Sequence, residues 1–273
     1  MNEYLMTDRL LEDLAGLFSS EDADQLASDY LKSQGLMELI SNLNMDDKRI
    51  SPCMPDLARL HLMVRRLKCF NVLEYGVGFS TLVIADALSK NRVDWLSEKD
   101  KPRIRKNHLF TVNCYDAEPG WLGSFEAFLP SRYKDFVILN HARVVTGQFN
   151  GRQCHFYEEL PSGSFDLIYL DGPSPSSVQP LDRLSASLWN YSDQLPMAAD
   201  LLSIENFLIP GTAILVDGRT ANARFIQSNF YRNWGVCRND NSDVTLMLLK
   251  ESPLGTISRD ELVWRFGSQI LGW

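Results

Sequence analysis

From residue 71 onward, short continuous apolar runs alternate with stretches of helical period, and no other feature of the sequence limits the fold as strongly. Asn71–Tyr75, Leu109–Tyr115, Phe165–Leu170 and Thr212–Val216 read as strands, and Phe79–Ser89, Trp121–Leu129, Ser192–Leu208 and Thr220–Tyr231 as helices. Strands apolar on both faces and separated by helices predict a parallel sheet covered on both sides. Val137–Glu158 is ambiguous, but Asn150-Gly151 between Arg143–Gln148 and Gln153–Tyr157 predicts a hairpin turn. Trp234–Arg238 and Val244–Leu249 predict a terminal antiparallel pair.

The first 68 residues read as helices alone. Ser19 or Ser20 can cap a helix through Leu26, Tyr30 and Leu31, with Gly35 at its end. Pro55 and Asp56 suit the first turn of another, whose Leu57, Leu60, Val64 and Leu67 share one face. Residues 251–273 follow the sheet pattern, and Ser258 with Glu261 predicts a capping box before Leu262, Phe266 and Ile270. The expected organisation is a helical cap over 1–68, a sheet domain over 69–250 and a helical extension over 251–273.

Composition narrows the function. Hydrophobic residues at 45% and charged residues at 23% exclude a mostly disordered chain, a collagen and a coiled coil. Lys and Arg number 27 against 35 Asp and Glu, so the net charge of −8 argues against a broad nucleic-acid surface. The acidity gathers in residues 1–30, whereas Lys90–Lys106 is a basic stretch carrying Trp95, read as a solvated surface loop ahead of a nucleic-acid contact. Five cysteines without a C-x-x-C, and four scattered histidines, argue against a disulfide framework or a thiolate zinc site. The N-terminal segment lacks an apolar signal core, and no apolar run approaches the ~20 residues of a membrane helix. A cytoplasmic location without membrane insertion is the expectation.

The segment richest in chemical information is Asn71-Val-Leu-Glu-Tyr-Gly-Val-Gly-Phe-Ser-Thr81. A strand ends at Glu74 and Tyr75, Gly76 and Gly78 follow, and a helix begins whose N-terminus offers unpaired N–H groups to a polar ligand. A dinucleotide fingerprint would place Gly or Ala where this chain has Thr81, and Glu74 would face a pyrophosphate. Downstream, Leu109–Tyr115 ends in Asp116, a carboxylate able to accept two ribose hydroxyls, with Glu118 as its rival. Asp171-Gly172 and Asp217-Gly218 close two further strands, and ligands of open α/β sheets bind at such carboxyl ends, although Asp-Gly is also ordinary turn chemistry.

Glu-x-Gly-x-Gly-x-Ser after the first strand, with these later strand ends, resembles the class I S-adenosylmethionine-dependent methyltransferases over residues 56–250. The resemblance implies a Rossmann-like fold: a seven-stranded, mostly parallel sheet with helices on both faces and a helical N-terminal cap. It implies S-adenosylmethionine held by Glu74, Gly76, Gly78, Ser80, Asp116 and Asp171, although the commoner motif has glycine at the position of Ser80. The implied reaction is methyl transfer to a hydroxyl of a small molecule or sugar, with Asp171 and Asp217 as candidate proton acceptors. The further likeness to catechol-type O-methyltransferases implies a divalent cation, such as magnesium, on Asp171 and Asp217, but Gly218 stands where that group supplies an amide ligand. His141 is a candidate general base, with a structural or surface histidine the heavier reading, and Arg219 and Arg224 could hold an anionic group. A homodimer is a further expectation. The alternatives are a non-catalytic S-adenosylmethionine-binding module and, behind it, a nicotinamide-dependent oxidoreductase.

Overall fold

The structure is a computed structural model that describes residues 3–43, 51–106, 109–173, 177–179, 197–268 and 270. Four helices open the chain: α1 Glu3–Ala15, α2 Ala23–Ser33, α3 Met37–Asn42 and α4 Met54–Arg66. Then come β1 Asn71–Tyr75, α5 Phe79–Ser97, β2 Thr111–Asp116, α6 Pro119–Phe128, β3 Val137–His141, β4 Val144–Phe149 and β5 Arg152–Tyr157. They are followed by β6 Leu167–Leu170, β7 Val178–Gln179, β8 Met197–Ala198, α7 Asp200–Ile204, β9 Ala213–Asp217, α8 Thr220–Gln227, β10 Trp234–Asn239, β11 Val244–Leu249 and α9 Thr256–Phe266.

Seven strands form the main sheet in the order β10-β11-β9-β6-β1-β2-β3. The five from β9 to β3 run parallel, and β11 is antiparallel to both of its neighbours. All five residues of β1 are buried, as a strand covered on both faces requires. The order reverses about β1 and β6, which is where open parallel sheets form their ligand crevice.

A second sheet, β7-β4-β5-β8, covers one face of the main sheet. Its centre is the expected hairpin, where Asn150 and Gly151 both adopt positive φ, 49° and 74°. The opposite face packs against α1–α5, so the N-terminal helices share one core with the sheet. Leu57, Leu60, Val64 and Leu67 are all buried in it.

Several local expectations are corrected. Helix α2 starts at Ala23 behind Asp22 with no side-chain cap, because Ser19 turns its hydroxyl back to the Gly16 carbonyl. Helix α5 continues to Ser97 and takes in the first half of the basic stretch, with Trp95 buried against Phe70 and Trp264. The Ser258–Glu261 capping box does not form: α9 begins at Thr256, and Glu261 is buried against Lys106. Residues 192–196 of the expected helix Ser192–Leu208 lie outside the described residues, and β8 and the short α7 occupy 197–204.

Candidate active site

The loop after β1 is held open by its own side chains. Gly76 has φ 118°, a conformation L side chains rarely adopt, while Gly78 is extended and a Cβ on it would lie 4.0 Å from the Trp121 ring. Thr81, one turn into α5, accepts the Gly78 N–H at 3.0 Å and donates to Glu74 Oε2 at 2.7 Å. Cys114 donates its thiol to the same carboxylate oxygen at 3.1 Å. Glu74 is fully buried, and its Oε1 has no hydrogen-bond partner among the described residues. Burial pushes its carboxyl up to about 7, against the opposing pull of Ser80, Thr81 and Cys114. Trp121 closes the loop from outside by donating its indole N–H to the Val77 carbonyl at 2.6 Å.

Asp116 ends β2 beside this loop. Its Oδ1 accepts the Glu118 N–H at 2.9 Å, and the Val77 amide also lies near enough to stabilise the carboxylate. Burial raises its pKa all the same. Glu118, the rival, is exposed and accepts from Ser177 at 3.0 Å. His141 is exposed at the end of β3, with Nε2 3.3 Å from the Ala117 carbonyl, away from the ends of β6 and β9. Gly172, after β6, packs onto β1: a Cβ there would stand 2.8 Å from the Tyr75 carbonyl oxygen.

Asp171 and Asp217 stand at the ends of the adjacent strands β6 and β9. Asp217 accepts the Tyr169 hydroxyl at 2.9 Å. Burial, then the negative charge of Asp56, lift its carboxyl to about 7. Asp56 belongs to the first turn of α4, where buried Arg59 binds it at 2.6 Å and also donates to the Leu17 carbonyl at 3.0 Å. Asp171 opens to solvent, yet surrounding protein raises its pKa, with Arg219 opposing. Arg219 donates to the Pro173 carbonyl at 2.8 Å, whereas Arg224 lies further along α8.

Two groups were not read as site residues in the sequence: Asp56, taken there only as a helix-start residue, and the polar face of β5 carrying His155 and Tyr157. The fit for a divalent cation is poor. Among the described residues no group of three or more His, Cys, Asp and Glu is arranged to hold a metal, and Gly218 adds no side chain. The fit for a nucleoside-bearing cofactor is better: a glycine turn, an acid at the end of β2 and an unpartnered buried carboxylate oxygen meet at one sheet edge.

No family model and no curated protein matches the chain. Among solved structures, the Podospora anserina methyltransferase PaMTH1, described as bound to S-adenosylhomocysteine, superposes with a TM-score of 0.51 at 14% identity, over 85% of this chain and 97% of that one. The chain has the Rossmann-like methyltransferase fold. At this identity the likeness establishes the methyltransferase fold and leaves activity to the site. The O-methyltransferase TomG of Streptomyces achromogenes, described in complex with S-adenosylmethionine, superposes more loosely at 0.42, with 15% identity over 81% of this chain and 96% of that one. A Bacillus cereus O-methyltransferase, described in complex with S-adenosylhomocysteine, gives 0.38 at 16% identity, over 83% and 96%.

Proposed function

We propose that the chain is an S-adenosylmethionine-dependent methyltransferase acting on a hydroxyl oxygen of a small molecule or glycan. The observation that carries this reading is the meeting of the Gly76 turn with Asp116 at one edge of a methyltransferase fold. Asp116 would take the ribose hydroxyls, and the backbone from Gly76 to Ser80 would pass beneath the cofactor. Glu74 lies behind Thr81, so it acts on the loop and, through Oε1, on a water or ammonium beyond it. When bound, S-adenosylmethionine supplies an electrophilic methyl group. The protein's part is to orient the acceptor, exclude water and take up the hydroxyl proton. Asp217 is the group suited to that last task, since its pKa of about 7 keeps it a usable base near neutrality.

No helix among the described residues is long and apolar enough to cross a membrane. A cytoplasmic location and a homodimer belong to the proposal, to be tested by fractionation and light scattering.

Calorimetry with S-adenosylhomocysteine and with NAD tests the cofactor. Tighter binding of NAD would overturn the reading. Transfer of labelled methyl from S-adenosylmethionine to hydroxylated acceptors tests the reaction.

A further inference from the structure

The face of β5 that looks onto the main sheet carries polar groups that cofactor binding leaves unexplained. His155 and Tyr157 are two residues apart in the strand and therefore share one face. Tyr157 stacks on Tyr75, ring centroids 5.4 Å apart and planes 21° apart, which sets that face against the end of β1. Among the described residues, both nitrogens of His155, the phenol oxygens of Tyr75 and Tyr157, and Oδ2 of Asp200 have no hydrogen-bond partner. None of these four residues is more than 3% exposed. The other oxygen of Asp200 accepts the Tyr157 N–H at 2.8 Å.

Buried polar groups in folded proteins are nearly always paired, with protein, water or ligand. These orphans lie together. Asp200 is within electrostatic reach of Tyr75 and Tyr157, Arg219 is within reach of His155 and Tyr157, and Tyr157 is also within reach of Asp116 and Asp171. Through Tyr157 the group reaches toward the carboxyl edge of the sheet, where Asp116 and Asp171 stand.

We propose that this face is the acceptor subsite, and that it takes an uncharged, multiply hydroxylated compound such as a glycoside. The word acceptor rests on the methyl-transfer reading above; the ligand class rests on the orphaned groups alone. Two phenols and a neutral imidazole supply donors and acceptors, as does the Asp200 carboxyl, and hydroxyls match both kinds. Burial holds His155 near 3, so its ring is neutral, and raises Asp200 to about 7, so its carboxyl is only partly ionised near neutrality. Arg219, the cation here, is already bound to the Pro173 carbonyl and faces Asp171. A phosphate or carboxylate would have to draw it away and sit against Asp200 and Asp171.

The test uses the full chain saturated with S-adenosylhomocysteine. Methyl α-glucopyranoside, methyl α-rhamnopyranoside and glucose 6-phosphate are added in turn, and melting is followed. The expected result is a rise of about 2 °C or more with a neutral glycoside and none with the phosphate. Tyr157→Phe and His155→Gln should abolish that rise while keeping the dissociation constant for S-adenosylhomocysteine within about twofold of wild type. Tyr157→Phe and Tyr75→Phe, without glycoside, should melt no lower than wild type, because each removes a hydroxyl that lacks a partner. The proposal is overturned if no glycoside shifts melting, if the phosphate shifts it more, or if the shift survives in both variants. It is also overturned if the phenylalanine variants melt several degrees lower, which would assign the hydroxyls to a closed network with internal water. Failure of S-adenosylhomocysteine to bind wild type would instead overturn the transferase reading and leave the glycoside result standing on its own.

Discussion

The Thr81 hydroxyl donates to Glu74 Oε2 across 2.7 Å while accepting the Gly78 amide at 3.0 Å. A residue that departs from the dinucleotide fingerprint is thus the brace of the glycine loop. Thr81→Val keeps the shape and removes both bonds, leaving the Gly78 N–H and Glu74 short of partners in a buried place. It should weaken S-adenosylhomocysteine binding and lower stability, each by about 1–3 kcal/mol. Calorimetry and denaturant unfolding measure the two effects separately; wild-type values in both would remove the bracing role.

Asp116 and Glu118 are two residues apart and differ in what surrounds them. Asp116→Ala should weaken S-adenosylhomocysteine binding by about 1–3 kcal/mol by leaving the ribose hydroxyls unpaired. Glu118→Ala, which changes an exposed side chain, should stay within about 0.5 kcal/mol of wild type. The reverse ranking by calorimetry would make Glu118 the ribose acid.

If Asp217 accepts the hydroxyl proton, it works only when ionised. The rate of transfer should then rise with pH through about 7 and level off above it. Asp217→Asn should lower the plateau by about 100-fold or more and flatten the profile. Chelation with EDTA should leave wild-type transfer unchanged, because the described residues at this edge do not complete a cation site. Activity that vanishes with EDTA and returns with magnesium would reinstate the metal.

The parallel sheet was legible because strands buried on both faces leave unbroken apolar runs, as β6 and β9 show. The smaller sheet was legible only at Asn150-Gly151, where the turn demands positive φ. Strands β7 and β8 have two residues each and leave no period to read. In the site, Asp116, Asp171 and Asp217 announced themselves by following apolar runs. Asp56 did not, because its place beside Asp217 depends on how α4 packs across the sheet. His155 and Tyr157 had a weak signal, polar residues two apart in a hairpin strand, but their burial comes from the sheet they face.

Asp200 is an acid whose folded pKa is raised, from 3.8 to about 7. Between those values the folded chain holds more protons than the unfolded one, so this group opposes folding increasingly as pH rises through that window. Above pH 7 the opposition is complete, at roughly 4 kcal/mol for a shift of about three units. Asp200→Asn keeps the acceptor for the Tyr157 N–H and removes the charge. The variant should be more stable than wild type at pH 8 and should converge with it toward pH 4. Denaturant unfolding at the two pH values decides: a variant less stable at pH 8 would mean the ionised carboxylate is paired.

Asp166 is the converse case, a buried carboxylate kept charged. It accepts the Phe70 and Asn71 amides at 2.7 and 3.0 Å and pairs with Lys106 at 2.7 Å and Arg265 at 2.8 Å. Burial alone would raise its pKa, but Arg265 and then Lys106 outweigh it and hold the carboxyl below the ordinary range. This contribution to stability is therefore fully present above the unfolded value near 3.8 and is lost only as pH falls through the lower folded one. The network ties α9 to the start of β1, since Arg265 also donates to the Leu67 carbonyl at 3.0 Å. Asp166→Asn leaves buried Arg265 facing a neutral group and Lys106 with Glu261 alone, which should cost about 3–5 kcal/mol at pH 7. Asp260→Asn, on the same helix and half-buried beside Arg259, is the control and should stay within about 0.5 kcal/mol. If the two variants unfold at the same denaturant concentration, the buried network is not what anchors α9.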